Sequence, residues 1–491
     1  MPETPEPFDE LVTHAHETKV VVIGGGVAGL VAALECAKVG MPVTVLEATG
    51  SFGGTVAEAE VDGLRVGTGA TCWSTAGGAV RTLVDELGLS DLVVAPRDDR
   101  TWIAGLDRGA AAPLPGESVL GIPANPWAED VRPFIGLGGA WRAYLDRLRP
   151  PLTIGKERNL GRLVRTRMGD AVLDRIVAPL AFGRFGIGPG HVDVSVAAPG
   201  LGSALTRTGS LGGAVADLLV DRPTGAAVES LEGGMPRLVD ALVQRLGELG
   251  ADLVTDARAS ALERDGDRWA VTLDPTGDGA SREVLPADVV FVATDQAAAR
   301  TLLSPLVADA VAEATDAAPT REVVTLVVDA PALDVAPRGA EVYAVPGALR
   351  ASGLVHQTAR WEWLARAAGP GRHVLSVAFD GADGALPTTG LGDAEIAAMA
   401  RAEASALLGV EIPADAVRGV HRSVFTLARP PSAWGHAEAT AAARAAVAAE
   451  RGLAAVGAWL SGSGLARLVP DAQDEAERVR RGVLWGASDA S

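Results

Sequence analysis

Residues 19–47 read KVVVIGGGVAGLVAALECAKVGMPVTVLE, and the fold turns on them. The β-branched run Lys19–Ile23 ends directly in glycine, which predicts a fully buried parallel strand. Residues 27–40 carry helical spacing and stop at Gly40, a residue suited to a C-cap. Pro42–Glu47 (PVTVLE) reads as a second strand, so the stretch makes a βαβ unit of about 30 residues. Gly24-Gly25-Gly26-Val27-Ala28-Gly29 occupies its first turn in a G-x-G-x-x-G pattern. Glycines there let a pyrophosphate approach backbone N–H groups at a helix N-terminus. Alone, the pattern is as readily an ordinary turn. Glu47 shifts the balance: 18 positions after Gly29, it sets a carboxylate at the end of the second strand, where it would accept both ribose hydroxyls of an adenosine.

Working outward, EATGSFGG (residues 47–54) supplies a second glycine pair, Gly53-Gly54, just past that carboxylate. A paired-glycine turn there suits FAD, which runs on into a second domain, better than NAD. Gly67-Thr68-Gly69-Ala70 is another small-residue turn. Near the other end, Gly457-Ala458-Trp459-Leu460-Ser461-Gly462-Ser463-Gly464-Leu465 opens a helix at a strand exit, with backbone N–H groups placed to meet a flavin. Between these ends the spacing predicts helices over Gly161–Ile176, Met235–Leu249, 393–408 and 466–483. It predicts strands over Asp252–Thr255, Trp269–Leu273, Asp288–Ala293, Glu322–Val328, His373–Phe379 and Leu453–Val456.

The chain has 491 residues, enough for two or more domains. Lys+Arg number 43 against Asp+Glu 62, a formal charge of -19, which argues against nucleic acid as a partner. Any polyanionic substrate then needs basic residues gathered at one cleft. Only Lys19, Lys38 and Lys156 are lysines, and Cys36 and Cys72 are too few for a disulfide framework. A cytoplasmic setting is expected. Residues 1–18 are acidic and polar, unlike a signal peptide, and are read as a disordered tail. The alanine-rich AEATAAARAAVAAERGLAAVGAWL is interrupted by Arg444, Glu450 and Arg451, so no segment is expected to span a bilayer, while peripheral contact stays open.

These blocks resemble the FAD-dependent amine-oxidase/protoporphyrinogen-oxidase superfamily. Within it the chain is most similar to the porphyrinogen oxidases of haem synthesis, including coproporphyrinogen III oxidases of Gram-positive bacteria. The residues that carry the resemblance are VVIGGGVAGLVAAL, VLEATGSFGG, VDGLRVGTGA, VAPLAFGRFGIGPGHVDVSVAAPGL, LEGGMPRLVDALVQRLGELGADLVT, ADVVFVATDQAAARTLL, GLVHQTARWEWL and VGAWLSGSGL. It implies an α/β fold: a discontinuous Rossmann-like FAD-binding domain (19–99, 215–300 and 436–491), an inserted α+β substrate-binding domain (301–435) and a helical subdomain (100–214).

The resemblance further implies FAD contacts at Gly24, Gly25, Gly26, Val27, Ala28 and Gly29, and at Glu47 and Ala48 by the ribose. Gly53, Gly54 and Thr55 follow; Gly67, Thr68, Gly69 and Ala70 would lie near the flavin ring, and the backbone of Ala259 would meet the adenine. Gly457, Ala458, Ser463, Gly464 and Leu465 would finish the site. Arg100 matches an arginine that holds a propionate; Arg184 in AFGRFG and Arg207 are weaker candidates. His356 and His436 are expected to be structural or cleft-lining, and no metal site is expected. The implied reaction converts coproporphyrinogen III to coproporphyrin III, with hydride passing to flavin N5 and electrons onward to O2; it names no catalytic side chain. Protoporphyrinogen IX is the alternative substrate. An amine oxidase, a carotenoid-desaturase-like enzyme and a non-catalytic flavin- or porphyrin-binding paralogue are further alternatives, and the chain is expected to be a monomer or homodimer. Amine oxidases commonly hold a water by a lysine, for which only Lys156 could serve. Thr55 in place of a basic or large aromatic residue, LVPDAQDEA in the last helix and the compressed ARPPSAWGH depart from the pattern.

Overall fold

The computed structural model describes residues 7–98, 100–148, 157–220, 227–275, 282–307, 319–381 and 385–485, with the backbone alone described at 7–10. A five-stranded sheet takes the order Asp252–Val254, Val43–Leu46, Val20–Ile23, Val289–Val292, Leu453–Ala455. Every pairing in it is parallel. The continuous apolar runs follow from burial on both faces. Val20 and Val22 pack on one side with the helices Val27–Ala37, Pro236–Glu248 and Leu465–Leu484. Val21 and Ile23 pack on the other with Trp269 and Val271 of a three-stranded antiparallel sheet and with the helix Gln296–Val307. Numbered along the chain, the order is 3-2-1-4-5. The connection therefore reverses direction between Val20–Ile23 and Val289–Val292, and crevices at such switch points hold ligands.

A seven-stranded sheet runs Val417–Thr426, Thr320–Asp329, Arg372–Gly381, Gly353–His356, Glu341–Ala344, Thr101–Ala104, Ala111–Pro113. Alternation gives it two unlike faces. Val324, Leu326 and Val328 pack with Leu375, Val377 and Phe379 against the helix Asp393–Leu408. The opposite face carries Arg321, Val323 and Thr325, then Ser376, Ala378 and Asp380, then Glu341 and Tyr343. A helical cluster built around Phe134, Leu163, Val164 and Ile176 packs beside it. There Asp146 and Arg167 form an ion pair at 2.6 Å with side chains 2% and 5% exposed.

Three expectations need correction. Residues 7–17 form a helix rather than a disordered tail; it docks through a 3.1 Å contact from His14 Nε2 to the Val483 carbonyl and through His16 against Gly40. Thr101–Ala104 and Ala111–Pro113 belong to the seven-stranded sheet rather than to a helical segment, because the apolar run TWIA pairs parallel with Glu341–Ala344. Gly161–Ile176 is not one helix: Gly169, at φ 95°, ends Leu160–Met168, and the chain resumes through Asp170–Val172 into a π turn at Leu173–Val177.

Candidate active site

The predicted glycine segments converge at the carboxyl edge of the parallel sheet. Gly24 follows Ile23 at φ +113°, and a Cβ there would lie 2.5 Å from the Ala293 carbonyl oxygen. At Gly29 a Cβ would lie 2.0 Å from the Gly24 carbonyl oxygen. Both positions exclude every side chain, so the turn packs tightly against strand and helix. Gly26 differs: nothing lies within 4 Å of where its Cβ would stand. It is the N-cap of Val27–Ala37 and carries no side-chain cap, so open space faces the helix N-terminus, where N–H groups favour anions. Val27 and Ala28 are buried beneath.

Glu47 ends the second strand, half-buried. Its Oε2 accepts the Gly25 N–H at 2.9 Å, and its Oε1 accepts from Thr49 N and Oγ1 at 2.9 and 2.8 Å. Ala48 follows it. The Ala257 N–H donates to the Glu47 carbonyl at 2.8 Å, which brings Ala259, the first residue of the strand Ala259–Asp265, close behind the carboxylate. Gly53 N–H donates to the Gly25 carbonyl at 2.9 Å, and Gly26 bridges Gly53. The Thr55 carbonyl accepts from Ala70 N–H at 2.8 Å, tying Gly53-Gly54-Thr55 to Gly67-Thr68-Gly69-Ala70. On the next strands Val456 N–H donates to the Val292 carbonyl at 3.0 Å, setting Gly457 beside Thr294. Ala458 opens a short helix; Ser463 and Gly464 are exposed, and Gly464 caps Leu465–Leu484 without a side chain. Narrow glycine turns, an open helix N-terminus and a strand-end carboxylate fit the phosphate and ribose of a dinucleotide.

The Gly67–Ala70 turn also touches the other sheet. Gln357, 2% exposed, donates from Nε2 to the Gly67 carbonyl at 2.9 Å and to Ser376 Oγ at 2.6 Å. The Phe425 ring covers Gly69. From there the sheet face runs to Glu341, whose Oε1 accepts the Tyr343 phenol at 2.9 Å and whose Oε2 accepts Thr101 Oγ1 at 3.1 Å. Burial, reinforced by Glu341, pushes the Tyr343 phenol well above its usual range and keeps it protonated. A cavity of about 110 Å³ lies against Glu341, Tyr343, Ser376 and Gly183.

The helix Ala178–Phe185 roofs this face. Arg321 pairs with Asp380 through Nε–Oδ1 at 2.6 Å and donates from Nη2 to the Phe182 and Gly183 carbonyls at 3.2 Å each. A Cβ on Gly183 would come within 2.2 Å of the Tyr343 ring. Arg184 follows Gly183 in the chain, exposed and close enough to the phenol to act on it electrostatically.

Residues 27–481 match the model of the flavin containing amine oxidoreductase family. The chain belongs to that family. As a member it is a flavin-dependent oxidoreductase. A coproporphyrinogen III oxidase of Propionibacterium freudenreichii subsp. freudenreichii is 28% identical over 515 residues, covering 97% of this chain and 93% of that one. A coproporphyrinogen III oxidase of Mycobacterium tuberculosis is 30% identical over 229 residues, 46% of this chain and 50% of that one. Among solved structures, a candidate protoporphyrinogen oxidase of Exiguobacterium sp. 255-15 shares the fold with a TM-score of 0.79 at 22% identity, covering 94% of this chain and 98% of that one.

In this flavin oxidoreductase the predicted arginines stand apart. Arg100 precedes Thr101–Ala104 and is bound to Asp98, Nε to Oδ1 at 3.0 Å and Nη2 to Oδ2 at 2.6 Å. Arg184 lies toward the other end of the paired strand, at Tyr343. Arg207 is paired with Asp217 in the helical cluster. His356 lies on the covered side of the sheet, 3.0 Å from His373, and His436 opens the helix His436–Ala449. Lys19 precedes the first strand and Lys38 pairs with Glu35 and Glu86; Lys156 lies outside the described residues. Among the described residues, no helix is long and apolar enough to cross a membrane and no group of side chains could hold a metal ion. Sequence reading missed Arg321, Glu341, Tyr343 and Gln357. A signal was present for three of them: Arg321 with Thr325 in REVVT, and Glu341 with Tyr343 in EVYA, stand on alternate positions, a pattern that marks one sheet face.

Proposed function

We propose that this protein is an FAD-dependent oxidase converting coproporphyrinogen III to coproporphyrin III with O2 as acceptor. The observation that carries the reading is the similarity to the Propionibacterium coproporphyrinogen III oxidase, which extends over 97% of this chain and 93% of that relative. FAD would be held by Gly24–Gly29, by Glu47 and Ala48 at the ribose, by Gly53–Thr55 and Gly67–Ala70, by the Ala259 backbone, and by Gly457, Ala458 and Ser463–Leu465. Bound FAD supplies the hydride acceptor and delivers the electron pair to O2, giving H2O2. Each two-electron step removes a hydride from a bridging carbon and a proton from a pyrrole N–H of the substrate.

The chain's own residues bind and orient. Arg184 and Arg100 offer guanidinium forks to propionates, Arg100, itself exposed, by exchanging its Asp98 partner. Gln357 and Phe425 hold the Gly67–Ala70 turn against the sheet, fixing the spacing between cofactor and substrate. Tyr343, kept protonated, orients Glu341 rather than moving a proton. The test mixes purified protein separately with coproporphyrinogen III and protoporphyrinogen IX, following porphyrin fluorescence together with H2O2. Faster formation of coproporphyrin with matching H2O2 is expected. A faster rate with protoporphyrinogen reverses the substrate order, and no signal above autoxidation with either compound refutes the oxidase.

A further inference from the structure

Outside the cleft, a groove of about 760 Å³ runs along the far flank of the helix Ala178–Phe185. Gly183 on this helix faces Tyr343. Ala178 and Phe182, one turn apart, project to the other flank and line the groove. Leu173, from the π turn, and Val345 complete an apolar floor. Arg162 and Arg165, spaced i and i+3 on Leu160–Met168, stand along one rim. Asp174 is the one carboxylate among the described lining residues. Each arginine is tied to one carboxylate, Arg162 to the half-buried Glu157 at 3.0 Å and Arg165 to the exposed Asp170 at 2.9 Å, with their own side chains 77% and 61% exposed. Such pairs are weak and screened. A ligand carboxylate set beside an apolar floor competes well for the same forks.

We infer that this groove is a second binding site, taking a flat apolar ring system that bears carboxylates on its rim. The floor accepts the ring, and the neighbouring guanidiniums accept two adjacent carboxylates. A pocket of this size and make-up, apolar with a few placed polar groups, is typical of small-molecule sites. The identity of the ring compound rests on the proposed function, whose product has this chemistry. The roof helix separates the groove from the cleft, so product can be held there while the cleft is refilled, and an enzyme that consumes a carboxylated porphyrin would collect it from this face.

The test titrates purified holoenzyme with coproporphyrin III, reading porphyrin fluorescence, for the wild type and for R162Q/R165Q. The wild type is expected to hold a second molecule per chain, and the variant to hold it about tenfold more weakly. Coproporphyrin tetramethyl ester, which lacks the carboxylates, should not fill the second site. Turnover of coproporphyrinogen should stay within about twofold in the variant. One molecule per chain in the wild type, or a titration that the substitutions leave unchanged, overturns the groove. Absence of turnover in both proteins refutes the proposed function instead; an arginine-dependent porphyrin site would then still support the groove.

Discussion

The two walls of the cleft are made of different material. On the parallel sheet the wall is mostly backbone: glycines at strand exits, an uncapped helix N-terminus, and Glu47 with its carboxylate at the end of the second strand. On the seven-stranded sheet the wall is side chains: Ser376, Glu341, Tyr343 and Arg321, on alternate positions of strands far apart in the chain, and Gln357 just past a strand end. A backbone wall tolerates almost no added atom, because its geometry is the site. A side-chain wall can be altered one group at a time and should lose fit before it loses the fold.

The sharpest way to break this contrast is Gly29→Ala. Its Cβ would stand 2.0 Å from the Gly24 carbonyl oxygen, so a loss of about 3 kcal/mol or more is expected, with little flavin retained. Flavin absorbance per chain and a denaturant midpoint check it; full flavin content at unchanged stability would show that the backbone wall is softer than described. Gly183→Ala probes the other wall at its one comparably tight point, against the Tyr343 ring. It should cost about 1–3 kcal/mol and lower turnover while leaving flavin content intact. Flavin loss equal to that of Gly29→Ala would merge the two walls into one.

A third measurement concerns the covered side of the seven-stranded sheet. Burial, with His373 and Arg97 nearby, pushes His356 from 6.5 down to about 3. The folded state therefore refuses a proton that the unfolded chain accepts. The stability from this group is complete above pH 6.5 and is lost as pH falls from there toward 3, by up to about 1.4 kcal/mol per pH unit. Burial holds His373 low as well. His356→Gln should flatten the acid limb of a stability–pH curve, and an unchanged limb would place the acid sensitivity elsewhere. The smallest effect is expected from Arg100→Ala: a KM several-fold higher with kcat and stability almost unchanged, since its ion pair with Asp98 is worth about 0–1 kcal/mol at that exposure. An unchanged KM removes Arg100 from the substrate wall.

Legibility followed the same division. The strand Val20–Ile23, its glycine turn and Glu47 were readable because close backbone approach restricts which residues can stand there, and the restriction is local. The helix Asp393–Leu408 was readable from its periodicity to the residue. Arg184 could be picked out as a candidate, but not its neighbour Tyr343, because only the packing of the helix Ala178–Phe185 on a distant strand brings the two together. Val417–Thr426 went unread, since its outer edge is exposed and its alternation mixes Arg418, Val420, Arg422 and Val424. The helix over 7–17 was hidden by its acidic, polar composition; docking against Val483 and Gly40 supplies what composition did not.

The order of strands in the parallel sheet has a kinetic consequence. Val22 pairs with Val45 inside the local βαβ unit, but with Phe291, and Phe291 in turn with Ala454, across very long stretches of chain. Closing such loops is slow, because their entropy must be lost before the contacts form. The seven-stranded sheet and the helical cluster can each begin from nearer neighbours. The glycine cradle is therefore expected to be the last part of the molecule to mature. Flavin added during refolding would act late, trapping a chain already largely assembled.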